Sequence, residues 1–172
     1  GNIWVVTSDK YADEVKRQLP ELDDDHILRE PCRRNTAPCI AYVSWKIKSR
    51  DPHANMVVTP SDHIVMNVKE FQRVVNSALK FTNKSDAILT LGITPNRPET
   101  GYGYIQIGEA VDQNISKVKT FTEKPNLELA KVFLASGEFF WNSGIFLWRA
   151  SSVINALHTY APDITNVFDN GL

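Results

Sequence analysis

A chain of 172 residues, 42% hydrophobic and 23% charged, has the composition of one globular domain or a piece of a larger one. Its formal net charge of -1 offers no basic field for nucleic acid or an anionic membrane surface. No apolar run is long enough to span a bilayer and no signal-like segment opens the chain, so the expected location is cytoplasmic. Cys32 and Cys39 are the only cysteines, with no His or Cys at zinc spacing, and read as reduced thiols.

The β-branched run 3–7 predicts a buried strand, and Ser8 and Asp9 then offer caps for a helix over 11–19 that ends at Pro20. A second strand is expected over 26–29. Ile40, Val43 and Ile47 recur at helical spacing, so 36–48 reads as a helix capped by Asn35 or Thr36, with Pro38 in its first turn. A strand over 55–59, a helix over 68–81 and a strand over 87–93 complete a β-α-β-α-β-α-β alternation. That order predicts a mainly parallel sheet covered on both faces. Beyond it, 104–108 and 115–121 alternate like an antiparallel insertion. A helix from Pro125 or Asn126 stopped by Gly137, a strand over 145–148 and a helix over 150–158 follow, and 162–172 closes with no further element.

Four polar, Gly- and Pro-marked segments punctuate these elements, at strand ends where open α/β sheets build ligand sites. In the first, Glu30 to Pro38, Arg33, Arg34, Asn35 and Thr36 stand at a strand-to-helix junction. Free N–H groups and the positive dipole end there suit phosphate or polar base edges, and ordinary helix capping explains the same residues. In the second, Asp62 follows Pro60 and Ser61. A carboxylate there can hold Mg²⁺ beside a phosphate or bond its own backbone in an Asx-turn, while His63 reads as structural.

The third segment, Gly101-Tyr102-Gly103-Tyr104, lets a ligand approach the main chain and equally makes a turn or bulge. In the fourth, Glu123 can accept sugar hydroxyls and Lys124 can meet a phosphate, and the bland alternative is a surface ion pair. Neighbours in an extended segment point to opposite sides, so both serve one ligand only if the chain bends there. Asn142, beside Trp141, suits a sugar hydroxyl or an Asx-turn.

Taken in order, Glu-Pro-x-x-Arg-Asn-Thr-Ala-Pro, Pro-Ser-Asp-His, Pro-Glu-Thr-Gly-Tyr-Gly-Tyr-Ile, Phe-x-Glu-Lys-Pro and Trp-Asn-Ser-Gly-Ile-Phe resemble the mannose-1-phosphate guanylyltransferases. The likeness is to the bacterial form related to the bifunctional isomerase/guanylyltransferases, and it runs from about Ile3 to Ile164. The resemblance implies a Rossmann-like α/β domain of the nucleotide-sugar transferase type, with residues 1–94 on the nucleotide side and 95–172 on the sugar-phosphate side. It implies transfer of GMP from GTP to mannose 1-phosphate with Mg²⁺ as cofactor, and no nucleic-acid or membrane partner. By the same resemblance Arg34, Asn35, Thr36 and Pro38 lie at the nucleotide, Asp62 holds the metal, Gly103, Glu123 and Asn142 contact the mannose, and Lys124 meets its phosphate. Asp62 and Lys124 are then the catalytic pair. Arg33 stands where the family carries glycine.

The family's opening strand and Gly-rich loop with Gly-Thr-Arg are not found before Ile3, and Asp163 and Asp169 lie too early to match its second metal-holding aspartate. The expectation is therefore a truncated, inactive piece of one nucleotidyltransferase domain. Its strands at 3–7 and 55–59 would either close up over the gap or pair with a second copy in a homodimer. Two other readings stand beside this one: a non-catalytic sugar-nucleotide-binding regulatory module, and a uridylyl- or thymidylyltransferase for a hexose 1-phosphate.

Overall fold

The computed structural model describes residues 2–30 and 36–170. In chain order its elements are β1 (Val5–Ser8), α1 (Ala12–Gln18, entered through a 3₁₀ turn), β2 (Ile27–Glu30), α2 (Thr36–Arg50), β3 (Asn55–Val58), α3 (Val68–Thr82) and β4 (Leu89–Ile93). They continue as β5 (Tyr104–Asp112), β6 (Ile115–Thr122), α4 (Leu127–Ser136), β7 (Phe139–Arg149), α5 (Ala150–Tyr160) and α6 (Pro162–Asp169). They gather into two compact units: the chain through Ala54 together with Ala150 onward, and Asn55–Arg149.

In the first unit β1 and β2 pair in parallel, Val5 opposite Ile27 and Ser8 opposite Glu30. The connecting α1 lays Ala12 and Val15 against Val5, Leu22 and Ile27, a small dry core. Arg29 reaches back from β2 to Asp9 and Asp13 at 3.1 Å each, pairs too exposed to contribute much. Helices α2, α5 and α6 pack together. The chain end read from sequence as lacking an element is helical. Pro162 opens α6 with its fixed φ, and Phe168 stacks on Trp45 at 5.3 Å between centroids. Trp45 Nε1 donates to Asp169 Oδ1 at 3.3 Å.

The second unit is a five-stranded sheet built around β7. Val57 of β3 and Leu89 of β4 both face Leu147, so β3 and β4 flank β7 and run antiparallel to it. Further along, Trp141 lies between Ile93 of β4 and Tyr104 of β5. The β5–β6 hairpin extends the sheet antiparallel, as expected for the insertion. The expected mainly parallel sheet needs correction at this level. The parallel pairing described is β1–β2, while β3 and β4 keep a common direction but are separated by β7. The β-α-β order fixes strand direction across a crossover; it does not reveal that a later strand will be inserted between the two. Likewise β1 and β3 fall in separate sheets.

Helix ends are closed by local caps. Asn67 Oδ1 caps α3 by accepting from Glu70 N at 3.1 Å, and Asn126 caps α4 by accepting from Leu129 N at 2.9 Å. Gly137 ends α4 at φ 72. Arg149 donates to the carbonyls of Thr82 and Ser85 at 2.9 and 3.2 Å, holding the end of α3 against β7. The core beside β5 joins Tyr104, Ala130, Phe133 and Trp141, with Phe139 stacked on Phe133 at 3.9 Å. Each large side chain buried here contributes roughly 1.5–3 kcal/mol.

Candidate functional site

Asn142, Ser143 and Gly144, expected to precede the strand over 145–148, lie inside the single longer strand β7. Between Thr90 and Gly92 on β4 the partner moves from Phe146 to Asn142 on β7, so extra β7 residues bulge out at 143–145. Gly144 takes φ 72 there, and its Cα faces Pro60 closely enough that a Cβ would sit 3.3 Å from the proline ring. Side chains replace the missing ladder bonds: Ser143 Oγ donates to Leu91 O at 2.7 Å and accepts from Ile145 N at 3.1 Å.

The bulge aims Asn142. Its Oδ1 accepts from Gly144 N at 3.2 Å, which is the Asx-turn alternative realised, and from the Thr90 hydroxyl at 3.0 Å. With two donors on Oδ1, the amide Nδ2 has no acceptor among the described residues. The Asn142 backbone N–H donates to Gly103 O at 2.8 Å. Gly103 is buried, and a Cβ on it would lie 2.8 Å from Glu123 Oε2 and 3.2 Å from the Phe121 ring. Gly103 before β5, Glu123 after β6 and Asn142 beside the bulge within β7 therefore come together. The glycine allows this close approach without displacing the Glu123 carboxylate.

Lys124 adopts φ 44, the sole positive φ among the described non-glycine residues. Left-handed backbone costs such a residue about 1–2 kcal/mol, and a following proline does nothing to favour it. This is the bend that lets two neighbours serve one ligand: Lys124 Nζ swings to 3.3 Å from Glu123 Oε1, on the same side. Both side chains are exposed, so the pair itself stabilises little and its ammonium is free to exchange a carboxylate for a phosphate.

Asp62 lies exposed in the turn after β3. Among the described residues its carboxylate forms no Asx-turn and no ion pair, and no group of three His, Cys, Asp or Glu stands ready to hold a metal. A lone exposed carboxylate is a hard oxygen donor that fits Mg²⁺, which keeps several waters and completes its shell with substrate phosphates. Of the nucleotide candidates, Arg34 and Asn35 lie outside the described residues. Thr36 and Pro38 occupy the first turn of α2, which itself contains no acidic residue.

Sequence reasoning missed the supporting residues. Thr90 orients Asn142 from β4. Arg97 lies 5.1 Å over the Trp141 ring and donates to Glu99 at 3.1–3.2 Å, and Tyr102 meets Trp141 edge-on at 5.3 Å. The glutamate was visible inside the Pro-Glu-Thr-Gly string, but its partners depend on a loop closure that no periodicity encodes. Glu99 is held below the usual carboxylate range, chiefly by the Gly101 N–H and then by Arg97. In α2, burial and then the charge of Glu30 push the Cys39 thiol up.

A model of the nucleotidyl transferase family matches residues 1–172. The chain is 39% identical over 171 residues to a mannose-1-phosphate guanylyltransferase of Escherichia coli, covering 95% of this chain and 37% of that protein. It is 37% identical over 176 residues to the protein of the same name in Escherichia coli strain K12, covering 98% of this chain and again 37% of the relative. The chain thus spans little more than a third of these relatives' length. Among solved structures, a mannose-6-phosphate isomerase from Helicobacter pylori is similar at 29% identity and a TM-score of 0.80, covering 95% of this chain and 61% of that one. A mannose-1-phosphate geranyltransferase from Thermus thermophilus shares the fold at a TM-score of 0.84 and 24% identity, covering 95% of this chain and 47% of that one.

Proposed function

Because this chain belongs to the nucleotidyl transferase family, we propose that it is part of a mannose-1-phosphate guanylyltransferase, which transfers GMP from GTP to mannose 1-phosphate and releases pyrophosphate. The observation that carries this reading is the meeting of Gly103, Glu123, Lys124 and Asn142 at the β7 bulge. Glu123 accepts from sugar hydroxyls, Asn142 Nδ2 donates to one, and Gly103 lets the ring approach the main chain. Lys124 takes the sugar phosphate. That phosphate is already an anionic nucleophile, so no activated serine or histidine is needed. Catalysis is alignment for in-line attack on the α-phosphorus plus charge neutralisation by Lys124.

Arg34, Asn35, Thr36 and Pro38 would hold the nucleotide. Asp62 would hold Mg²⁺, whose chemistry is to neutralise phosphate charge and organise the leaving pyrophosphate. One family model running over 1–172 supports reading both compact units as parts of a single nucleotidyltransferase domain. Parallel β1–β2 in one sheet and the shared direction of β3 and β4 in the other support a Rossmann-like α/β domain of the nucleotide-sugar transferase type carrying an antiparallel insertion. The names of the Escherichia coli relatives favour guanylyl over uridylyl or thymidylyl transfer.

The test is pyrophosphate release by the full-length gene product from GTP, UTP or dTTP with α-mannose 1-phosphate. Turnover is expected with GTP foremost. Turnover with UTP or dTTP instead contradicts the guanylyl assignment, and GDP-mannose binding without turnover establishes the regulatory module.

A further inference from the structure

We propose that Glu99 is a positioning residue for the hexose 1-phosphate site, locking the loop that presents Gly103. The proposal rests on the sugar-site reading given above and extends it to a residue outside the contact set.

Glu99 grips its loop in two ways. Its Oε1 accepts from the backbone N–H of both Thr100 and Gly101 at 3.0 Å, while Oε2 accepts from the Arg97 guanidinium. Its own backbone closes the far end: Glu99 N donates to the Tyr104 hydroxyl at 3.0 Å, and that hydroxyl donates to Glu99 O at 2.9 Å. Tyr104 is fully buried beside Phe133 and Trp141, so the ring is a fixed post. Residues 99–104 are thereby closed into one turn, with Gly103 immediately before the post. Arg97, stacked on Trp141, ties the carboxylate to the same core. Without the carboxylate, Thr100 and Gly101 lose their shared acceptor and the loop keeps only its Tyr104 end. Gly103 can then drift from Glu123 and Asn142, and displacements of about 1 Å cost up to ~10²-fold in rate or binding.

The experiment measures KM for α-mannose 1-phosphate and for GTP in the full-length wild type, Glu99→Ala and Glu99→Gln. Glu99→Ala is expected to raise the sugar-phosphate KM about tenfold or more, leaving the GTP KM within about twofold. Glu99→Gln retains an oxygen for the two N–H groups and is expected to recover most of that loss. An unchanged sugar-phosphate KM overturns the proposal, as does an equal rise in both KM values. So does a Glu99→Gln protein as impaired as Glu99→Ala, or a Glu99→Ala protein that fails to fold, which makes Glu99 structural. A wild type without turnover contradicts the proposed function separately. Calorimetric affinity for α-mannose 1-phosphate then decides: binding about tenfold weaker in Glu99→Ala supports the clamp, and equal or absent binding overturns it.

Discussion

Replacing Gly103 with alanine adds one methyl group at the most crowded point of the site. That carbon would lie 2.8 Å from Glu123 Oε2 and 3.2 and 3.3 Å from two Phe121 ring carbons. The conflict resolves cheaply for the fold, because Glu123 is an exposed side chain that can rotate away and Phe121 is about half exposed. The stability cost should therefore fall at the low end of overpacking, about 1 kcal/mol, or a melting-temperature drop of about 2–4 °C. The binding cost is larger, because the rotation withdraws a charged acceptor from the sugar hydroxyls. Such hydrogen bonds are worth about 1.5–3 kcal/mol, so affinity for α-mannose 1-phosphate should fall roughly tenfold to a hundredfold. Calorimetry on the full-length protein with thermal melts beside it reads both quantities. Gly108→Ala is the control, since its added carbon meets nothing nearer than 3.4 Å and neither quantity should move. Wild-type affinity in Gly103→Ala would refute the reasoning.

Three further outcomes follow from the same geometry. Lys124→Gly relieves left-handed strain of about 1–2 kcal/mol against an unfolded-state entropy penalty of about 0.4–1 kcal/mol. It should melt slightly higher while losing turnover, and a lower melting temperature would contradict the strain assigned to Lys124. In a Cys32→Ser background, alkylation of Cys39 should be slower than that of a small free thiol at pH 8 and still be accelerating above pH 9.0, because burial raises its pKa. An early plateau would count against this. Glu99 has a depressed folded pKa, so its contribution to stability is full above the ordinary value of 4.5 and is lost as pH falls through the lower folded value. The stability gap between wild type and Glu99→Gln should be flat above that pH and narrow below it; a constant gap down to strongly acidic pH contradicts the hydrogen bonds described.

Much of the fold could be read from the chain because the signals were local. Asn126 and Gly137 mark the ends of α4, one through its side-chain cap and the other through its left-handed backbone, and the strands over 3–7, 26–29, 55–59 and 87–93 lie within a few residues of the observed bounds. The continuity of β7 was hidden because Asn142, Ser143 and Gly144 look like a turn. Only the side-chain bonds of Asn142 and Ser143 to their own strand and to β4 keep the strand running through them. Helix α6 was missed because its stability comes from Phe168 packing on Trp45, more than a hundred residues away. The candidate site residues were visible as motifs. The left-handed bend at Lys124 that turns it toward Glu123 was not, since nothing but tertiary context supports a lysine in that conformation before a proline.

The most direct test of the central claim is a crystal structure of the full-length protein with α-mannose 1-phosphate. The expected result is a hexose whose hydroxyls lie within hydrogen-bonding distance of Glu123 and Asn142, packed against Gly103, with its phosphate at Lys124. A sugar phosphate bound away from these four residues contradicts the claim.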